Sequence, residues 1–121
     1  MYKRQNLHRY RPRAAYQADY AGPDANVSGR EAYHRYLREV ETRFLPQVGA
    51  RFLIVAPVDV TMIGADEWDD AVIGHYPSRG AALELPALAG YEAIAVHRIA
   101  GLEAALTVAL GPDAIRRLPR P

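Results

Sequence analysis

The stretch that decides the fold is residues 68–102, WDDAVIGHYPSRGAALELPALAGYEAIAVHRIAGL. Its first part, Trp68 to Tyr76, reads as a strand, and a Pro-Ser pair then breaks it. The serine can cap a short helix that begins at Arg79. A glycine separates this helix from a second one that runs through Arg98, after which the chain turns into a last strand. The stretch therefore predicts a strand, two consecutive helical segments and a strand.

The part of the chain before this stretch predicts a strand, a helix and another strand. Residues 5–11 alternate as a strand that Pro12 ends. A helix starts at Ser28, which can form a capping box with Glu31, and it carries one apolar stripe. Residues 51–63 then form an apolar strand. The complete order predicts an α+β, ferredoxin-like βαββαβ fold, with an antiparallel sheet and the helices on one face.

One feature of the 51–63 strand concerns assembly. Apolar residues occupy both alternating faces: Phe52, Ile54 and Ala56 on one, Leu53 and Val55 on the other. The helices can cover one of these faces, and a chain this short has no second layer for the other. The sequence therefore predicts a homodimer in which two sheets pack face to face.

Composition and charge narrow the class of protein. The 121 residues suffice for one domain, placed at 1–111, with a flexible Arg- and Pro-rich tail at 112–121. A net charge of +1 with evenly mixed signs argues against nucleic acid as a partner. No stretch is apolar enough for a membrane span, and the lack of cysteine fits a reducing compartment. We expect a cytoplasmic protein without a membrane partner.

Four segments together resemble a known family. They are NLHRYRPRAAY at 6–16, SGREAY at 28–33, WDDAVIGHYPSR at 68–79 and YEAIAVHRIAGL at 91–102. In this order and spacing they resemble DUF1330, small proteins of unassigned function in the dimeric α/β-barrel superfamily. The resemblance extends from about Asn6 to Leu110 and implies the fold and the dimer, but it brings no agreed catalytic residues.

What the resemblance implies about function is broad. Superfamily relatives include monooxygenases that use no cofactor, heme-degrading enzymes, isomerases and cyclases, with sites that commonly lie between the helices and the sheet. This chain departs from the family pattern in two places. His8 stands where an aliphatic residue is usual, and LELPALAGY at 83–91 contains Pro and Gly where a smoother helix is expected.

Candidate catalytic residues are His97, Arg98 and His75. A His and an Arg at the end of a helix can bind and polarise a carboxylate or enolate, with the His as acid or base near neutral pH. The alternative is a C-terminal cap that interacts with the helix dipole. For His75 the alternative is a histidine of the core or of an interface.

Candidate ligand-binding residues are Arg9, Tyr33, Trp68, Tyr76 and Tyr91. Arg9 can serve as an anion clamp, or lie solvated on the sheet. The aromatic residues can form pocket walls with polar edges, or they can simply pack. No residue spacing indicates a metal site, and no glycine-rich loop indicates a phosphate site, so we expect no cofactor.

Two functions of different classes follow from these residues. The first is a small homodimeric enzyme, acting without metal as a monooxygenase, isomerase or cyclase on a small hydrophobic compound with a carbonyl or acidic group. The alternative is a non-catalytic ligand-binding or assembly module in which the same residues hold the dimer.

Overall fold

A computed structural model of the protein describes residues 2–111. Met1 and the tail predicted to be flexible, 112–121, lie outside the described residues. The strands are β1 (Tyr2–Tyr10), β2 (Arg51–Pro57), β3 (Asp70–Tyr76) and β4 (Leu102–Leu110), and the helices are α1 (Gly29–Glu39), α2 (Arg79–Glu84) and α3 (Tyr91–Gly101). All neighbouring strands are antiparallel, in the order β2-β3-β1-β4. The predicted α+β, ferredoxin-like fold is confirmed.

Helix α1 begins and ends as its sequence indicates. The Ser28 hydroxyl accepts a hydrogen bond from the backbone N–H of Glu31 at 3.0 Å. The helix continues through a π-helical turn at Val40–Phe44 and a 3-10 turn at Leu45–Val48, and Gly49 ends it with a φ of 70°. Glycine adopts this left-handed conformation without strain. The continuation carries the apolar stripe into the core, where Phe44 is fully buried.

Strand β2 departs from the predicted alternation. Phe52 lies opposite Gly74 while Ile54 lies opposite Ile73, so Leu53 is an extra residue in a β-bulge. After the bulge Val55 pairs with the buried Val72 and shares its helix-covered face, whereas Ile54 lies on the other face. The prediction that Phe52 and Ile54 share a face was wrong for this reason. The strand also ends at Pro57 rather than at residue 63.

The second face of the sheet carries an apolar patch at its centre and has no covering layer within residues 2–111. Its register places Leu7 of β1 opposite Leu106 of β4, flanked by Ile54, Ile73 and Val108. The side chains of Ile54, Leu106 and Val108 are 53%, 46% and 45% exposed. We call this surface the open face.

A close approach of backbones joins α1 to the ends of β1 and α3. The backbone N–H of Arg11 donates to the carbonyl of Gly101 at 2.9 Å, and that of Gly29 donates to the carbonyl of Arg11 at 3.0 Å. A Cβ at position 29 would lie 2.1 Å from the Arg11 oxygen, and one at position 101 would lie 2.5 Å from the Gly29 oxygen. Only glycine fits at either position.

Within residues 2–111, no helix has the length and apolar character needed to cross a membrane.

Candidate functional site

A cavity of about 190 Å³ lies between the helices and the helix-covered face of the sheet. Its polar lining comprises Arg4, Asn6, His8, Tyr33, Tyr36, Tyr76, Tyr91, Arg98 and Thr107. Its apolar lining includes Leu37, Val40, Phe52, Val72 and Leu85. A pocket with an apolar wall and a few convergent polar groups is typical of small-molecule sites.

The floor of the cavity is a polar stripe along β1. Arg4, Asn6 and His8 share one face because side chains alternate along a strand. In the middle of the stripe, the Thr107 hydroxyl donates a hydrogen bond to Oδ1 of Asn6 at 2.8 Å. On the neighbouring strand the residue opposite Asn6 is Val72, so the polar stripe borders an apolar strip.

His8 is 3% exposed and is held by a tyrosine from α1. The hydroxyl of Tyr33 lies 3.0 Å from Nε2 of the imidazole, while Nδ1 is buried without a partner among the described residues. Burial lowers the pKa of His8 to about 4, and the positive charge of Arg98 adds to the effect. At neutral pH the ring is therefore uncharged, and the nitrogen that carries its proton is a hydrogen-bond donor.

Arg4 lies beside two aromatic rings, at the other end of the polar stripe from His8. Its guanidinium carbon is 5.8 Å from the ring centroid of Tyr2 and 5.6 Å from that of Tyr76, within the range of cation–π contacts. Its Nε is buried and has no partner within residues 2–111. Arg4 therefore brings a positive charge and an unused donor to the cavity.

The charge in the cavity is unbalanced. Arg98, from α3, is its second guanidinium, and none of its described lining residues carries a carboxylate. Neither Arg4 nor Arg98 forms an ion pair within residues 2–111. Both side chains are half-buried, and a cavity with two guanidinium groups and no carboxylate among its described lining residues is electrostatically suited to an anion.

The carboxylate of Asp70, next to His8, lies in a cluster of side chains that already neutralises its charge. Asp70, opposite His8 in the sheet, accepts hydrogen bonds from the Tyr10 hydroxyl at 2.6 Å and from Arg30 at 2.7 and 2.8 Å. Nε2 of His34 lies 3.1 Å from the same carboxylate. Burial alone would raise the pKa of Asp70, but these hydrogen bonds outweigh it and hold the pKa below its usual value. The cluster therefore ties α1 to the sheet.

Four of the predicted site residues line the cavity: Tyr33, Tyr76, Tyr91 and Arg98. The hydroxyls of Tyr91 and Tyr36 form a short hydrogen bond. Burial strongly raises the pKa of Tyr36, so its hydroxyl stays protonated. Tyr76 ends strand β3, and the other side chains form the polar part of the cavity that comes from α1 and α3.

His97 does not lie with Arg98. Consecutive residues of an α-helix point about 100° apart, and only Arg98 reaches the cavity. Nδ1 of His97 lies 2.7 Å from the hydroxyl of Tyr16, which stacks on Tyr20 in the loop after β1. Burial and the nearby Arg35 lower the pKa of His97. In this position His97 holds the loop against α3.

Arg9, Trp68 and His75 lie away from the cavity. Nε of Arg9 donates to Glu103 at 2.8 Å, and its guanidinium carbon lies 5.5 Å from the ring centroid of Trp68. His75 pairs with Lys3 in the sheet register, on the open face. Residues with odd numbers in β1 and β3 face away from the helices, which explains the positions of Arg9 and His75.

The sequence did not single out Arg4, Asn6, His8 or Tyr36 as site residues. The signal was available for β1, because period two from His8 leads back through Asn6 to Arg4. The predicted strand began at residue 5, whereas β1 begins at Tyr2.

Within residues 2–111, no three His, Asp or Glu side chains lie close enough together to hold a metal ion.

Comparison with solved structures agrees with this architecture. A protein of unknown function from Rhodopseudomonas palustris is 30% identical, with a TM-score of 0.78, over 93% of this chain and 82% of that chain. A dabb family protein with a ferredoxin-like fold from Mesorhizobium loti is 11% identical, with a TM-score of 0.57, over 93% and 97% of the two chains. At that identity the likeness concerns the fold alone.

A third solved structure is described as a dimeric protein of unknown function with a ferredoxin-like fold, from Bacteroides fragilis. It is 11% identical, with a TM-score of 0.53, over 90% of this chain and 93% of that chain.

No curated protein matches the sequence. The family model described as a domain of unknown function, DUF1330, matches residues 19–112. The resemblance to DUF1330 is thereby confirmed, with three of the four sequence segments inside the match and the segment 6–16 before it. The chain belongs to the DUF1330 family.

Proposed function

We propose that this protein is a homodimeric enzyme that binds a small compound with a carboxylate or carbonyl group in the cavity. One observation carries the proposal. Arg4 Nε and His8 Nδ1 are buried and have no hydrogen-bond partner among residues 2–111, and both residues line the cavity. A buried polar group without a partner costs about 1–3 kcal/mol. Ligand oxygens that accept from these nitrogens would recover that free energy.

Charge supports an anionic ligand over a neutral one. Two guanidinium groups line the cavity, and none of the described lining residues is acidic. Charge-assisted hydrogen bonds to a carboxylate are stronger than bonds between neutral groups. The apolar wall of Leu37, Val40 and Phe52 accommodates a hydrocarbon part of the same molecule.

The chemistry that this arrangement supports is stabilisation of a developing oxyanion. When the Tyr33 hydroxyl donates to Nε2 of His8, Nδ1 carries the proton and can donate to a carbonyl oxygen. A neutral imidazole in this role strengthens its hydrogen bond as negative charge develops on that oxygen, and Arg98 stabilises the same charge. His8 is then the catalytic donor, and Tyr33 positions it by fixing the tautomer.

The binding test uses benzoate and 2-oxobutanoate as probes, with calorimetric titration of the purified protein. We expect Arg98→Met to weaken binding at least tenfold, because it removes a charge while keeping an apolar stem of similar length. Arg13→Ala is the control, since Arg13 is exposed and outside the cavity. Equal affinity of wild type and Arg98→Met for both probes would refute the proposed site.

The alternative function, a ligand-binding module without catalysis, makes a different prediction for the same probes. If carboxylates bind and Arg98→Met weakens them, but no 2-oxo acid in a substrate screen is converted, the cavity is a binding site only. A loss of conversion in His8→Gln that is much larger than its loss of binding affinity supports the enzyme.

The homodimer is proposed from the open face. An exposed apolar surface of this kind marks an interface, and the Bacteroides fragilis protein with the same fold is described as dimeric. We expect Leu106→Glu to convert the dimer to a monomer in sedimentation analysis, because two carboxylates would be buried at the two-fold interface. Leu83→Glu is the matched control, since Leu83 is 63% exposed on α2. A wild-type protein that sediments as a monomer would refute the proposal.

A further inference from the structure

We infer that the cavity takes a short dicarboxylate, with one carboxylate at each end of the polar stripe of β1. The inference rests on the proposed function and narrows its ligand class. Each end of the cavity has one guanidinium group and one buried nitrogen without a partner within residues 2–111. These are Arg98 with His8 Nδ1 at one end, and Arg4 with its own Nε at the other.

The register of the sheet gives the separation. Arg4 lies opposite Gly74 in β3, and His8 lies opposite Asp70. Four residues of strand separate the two positions, which corresponds to about 13 Å between their Cα atoms. The Arg4 guanidinium lies beside the rings of Tyr2 and Tyr76, which pair with each other at the end of β1 and β3 away from His8.

Arg98 belongs to the His8 end. It lies in the last turn of α3, three residues before Gly101, whose carbonyl accepts a hydrogen bond from the backbone N–H of Arg11, just beyond the His8 end of β1. Its positive charge accordingly contributes to lowering the pKa of His8. Tyr33 is itself bonded to His8. One end of the cavity thus combines a guanidinium with an imidazole that the Tyr33 hydroxyl holds in place, and both can donate to one carboxylate.

Arg4 belongs to the other end. Its guanidinium lies beside the rings of Tyr2 and Tyr76, whose centroids are 6.1 Å apart in an edge-to-face arrangement. The charge of Arg4 opposes the rise that burial causes in the pKa of Tyr76. This end therefore has its own cation and its own buried donor, Nε of Arg4.

Between the two ends the lining is neutral. Asn6 is bonded to Thr107, and Val72, Phe52 and Val40 provide apolar surface. A monocarboxylate can satisfy only one end, which leaves the other guanidinium and its donor unpaired. A molecule with a short hydrocarbon chain and a carboxylate at each end satisfies both, and places its methylenes against the apolar strip.

Calorimetric titration of the purified protein with two matched series tests this inference. The first series is malonate, succinate, glutarate, adipate and pimelate, and the second contains the monocarboxylates of the same carbon number. We expect at least one dicarboxylate to bind tenfold or more tightly than its monocarboxylate counterpart. Arg4→Met should reduce that ratio to near one, Arg4→Lys should keep part of it, and Arg13→Ala should leave it unchanged.

The outcomes separate the two proposals. Carboxylates that bind in both series with equal affinity, weakened by Arg98→Met, would overturn the two-ended site and leave the proposed function standing. A preference for dicarboxylates that survives Arg4→Met would also overturn it. Failure of every carboxylate in both series would overturn the proposed function itself. Circular dichroism of each variant confirms that a lost preference does not come from unfolding.

Discussion

Replacing Gly29 with alanine is expected to lower the free energy of unfolding by about 3 kcal/mol, the upper part of the range for overpacked sites. The added Cβ would lie 2.1 Å from the carbonyl oxygen of Arg11 and 2.7 Å from that of Gly101. Both contacts are with backbone atoms, which cannot rotate away as a side chain can. Relief requires α1 to move from the ends of β1 and α3, which breaks the hydrogen bonds that Arg11 makes there.

Urea-induced unfolding measures the effect, and a second glycine gives the control. A Cβ at Gly80, inside α2, would meet only the Ser78 hydroxyl, at 3.7 Å. Because alanine is favoured over glycine inside a helix, Gly80→Ala should leave stability unchanged or raise it by up to about 1 kcal/mol. Equal stability of Gly29→Ala and wild type would show that the helices can separate without loss, contrary to the packing described above.

Acidification from pH 6.5 to pH 4 is expected to remove about 3 kcal/mol of stability through His8 alone. The pKa of His8 is about 4 in the folded protein, against an ordinary value of 6.5. Between these values the unfolded chain binds a proton that the folded one does not, so stability falls as pH falls through this window. Above pH 6.5 the contribution of His8 is fully present.

Urea titrations at several pH values test the His8 effect. His8→Gln should flatten the stability profile between pH 6.5 and 4, although its absolute stability will be lower because the contact with Tyr33 changes. His97→Gln is the comparison, since the pKa of His97 is also lowered but the residue lies outside the cavity. A wild-type profile that stays level over this range would contradict the buried, neutral state of His8. Asp70 contributes mainly below this range, because its hydrogen bonds hold its pKa below the usual value and its stabilisation is lost chiefly as pH falls past that usual value.

Local signals in the sequence were sufficient for the fold. The capping serines at 28 and 78 both accept the predicted backbone hydrogen bonds, and the last strand begins and ends where its alternation does. The family resemblance, confirmed by the match over residues 19–112, depends partly on SGREAY and HRIAGL. The glycines of these two segments are Gly29 and Gly101, whose contact explains why neither position has room for a side chain.

The candidate site could be predicted from the sequence less completely than the fold. Adjacency in the sequence suggested that His97 and Arg98 act together, but the rotation of the helix separates them. The bulge at Leu53 leaves no mark in an apolar run, because apolar residues fit both faces equally well. His8 was recognised as unusual for the family, yet its role depends on burial beside Tyr33 and Arg98, which only the packing of three elements determines.

The position of β1 in the sheet has a consequence for how the cavity would respond to a ligand. β1 is hydrogen-bonded to β3 along one edge and to β4 along the other, so the backbone under Arg4, Asn6 and His8 is held on both sides. Binding there loses little backbone conformational entropy, since the floor is ordered before the ligand arrives. Any adjustment to ligands of different length then falls to the helices above it.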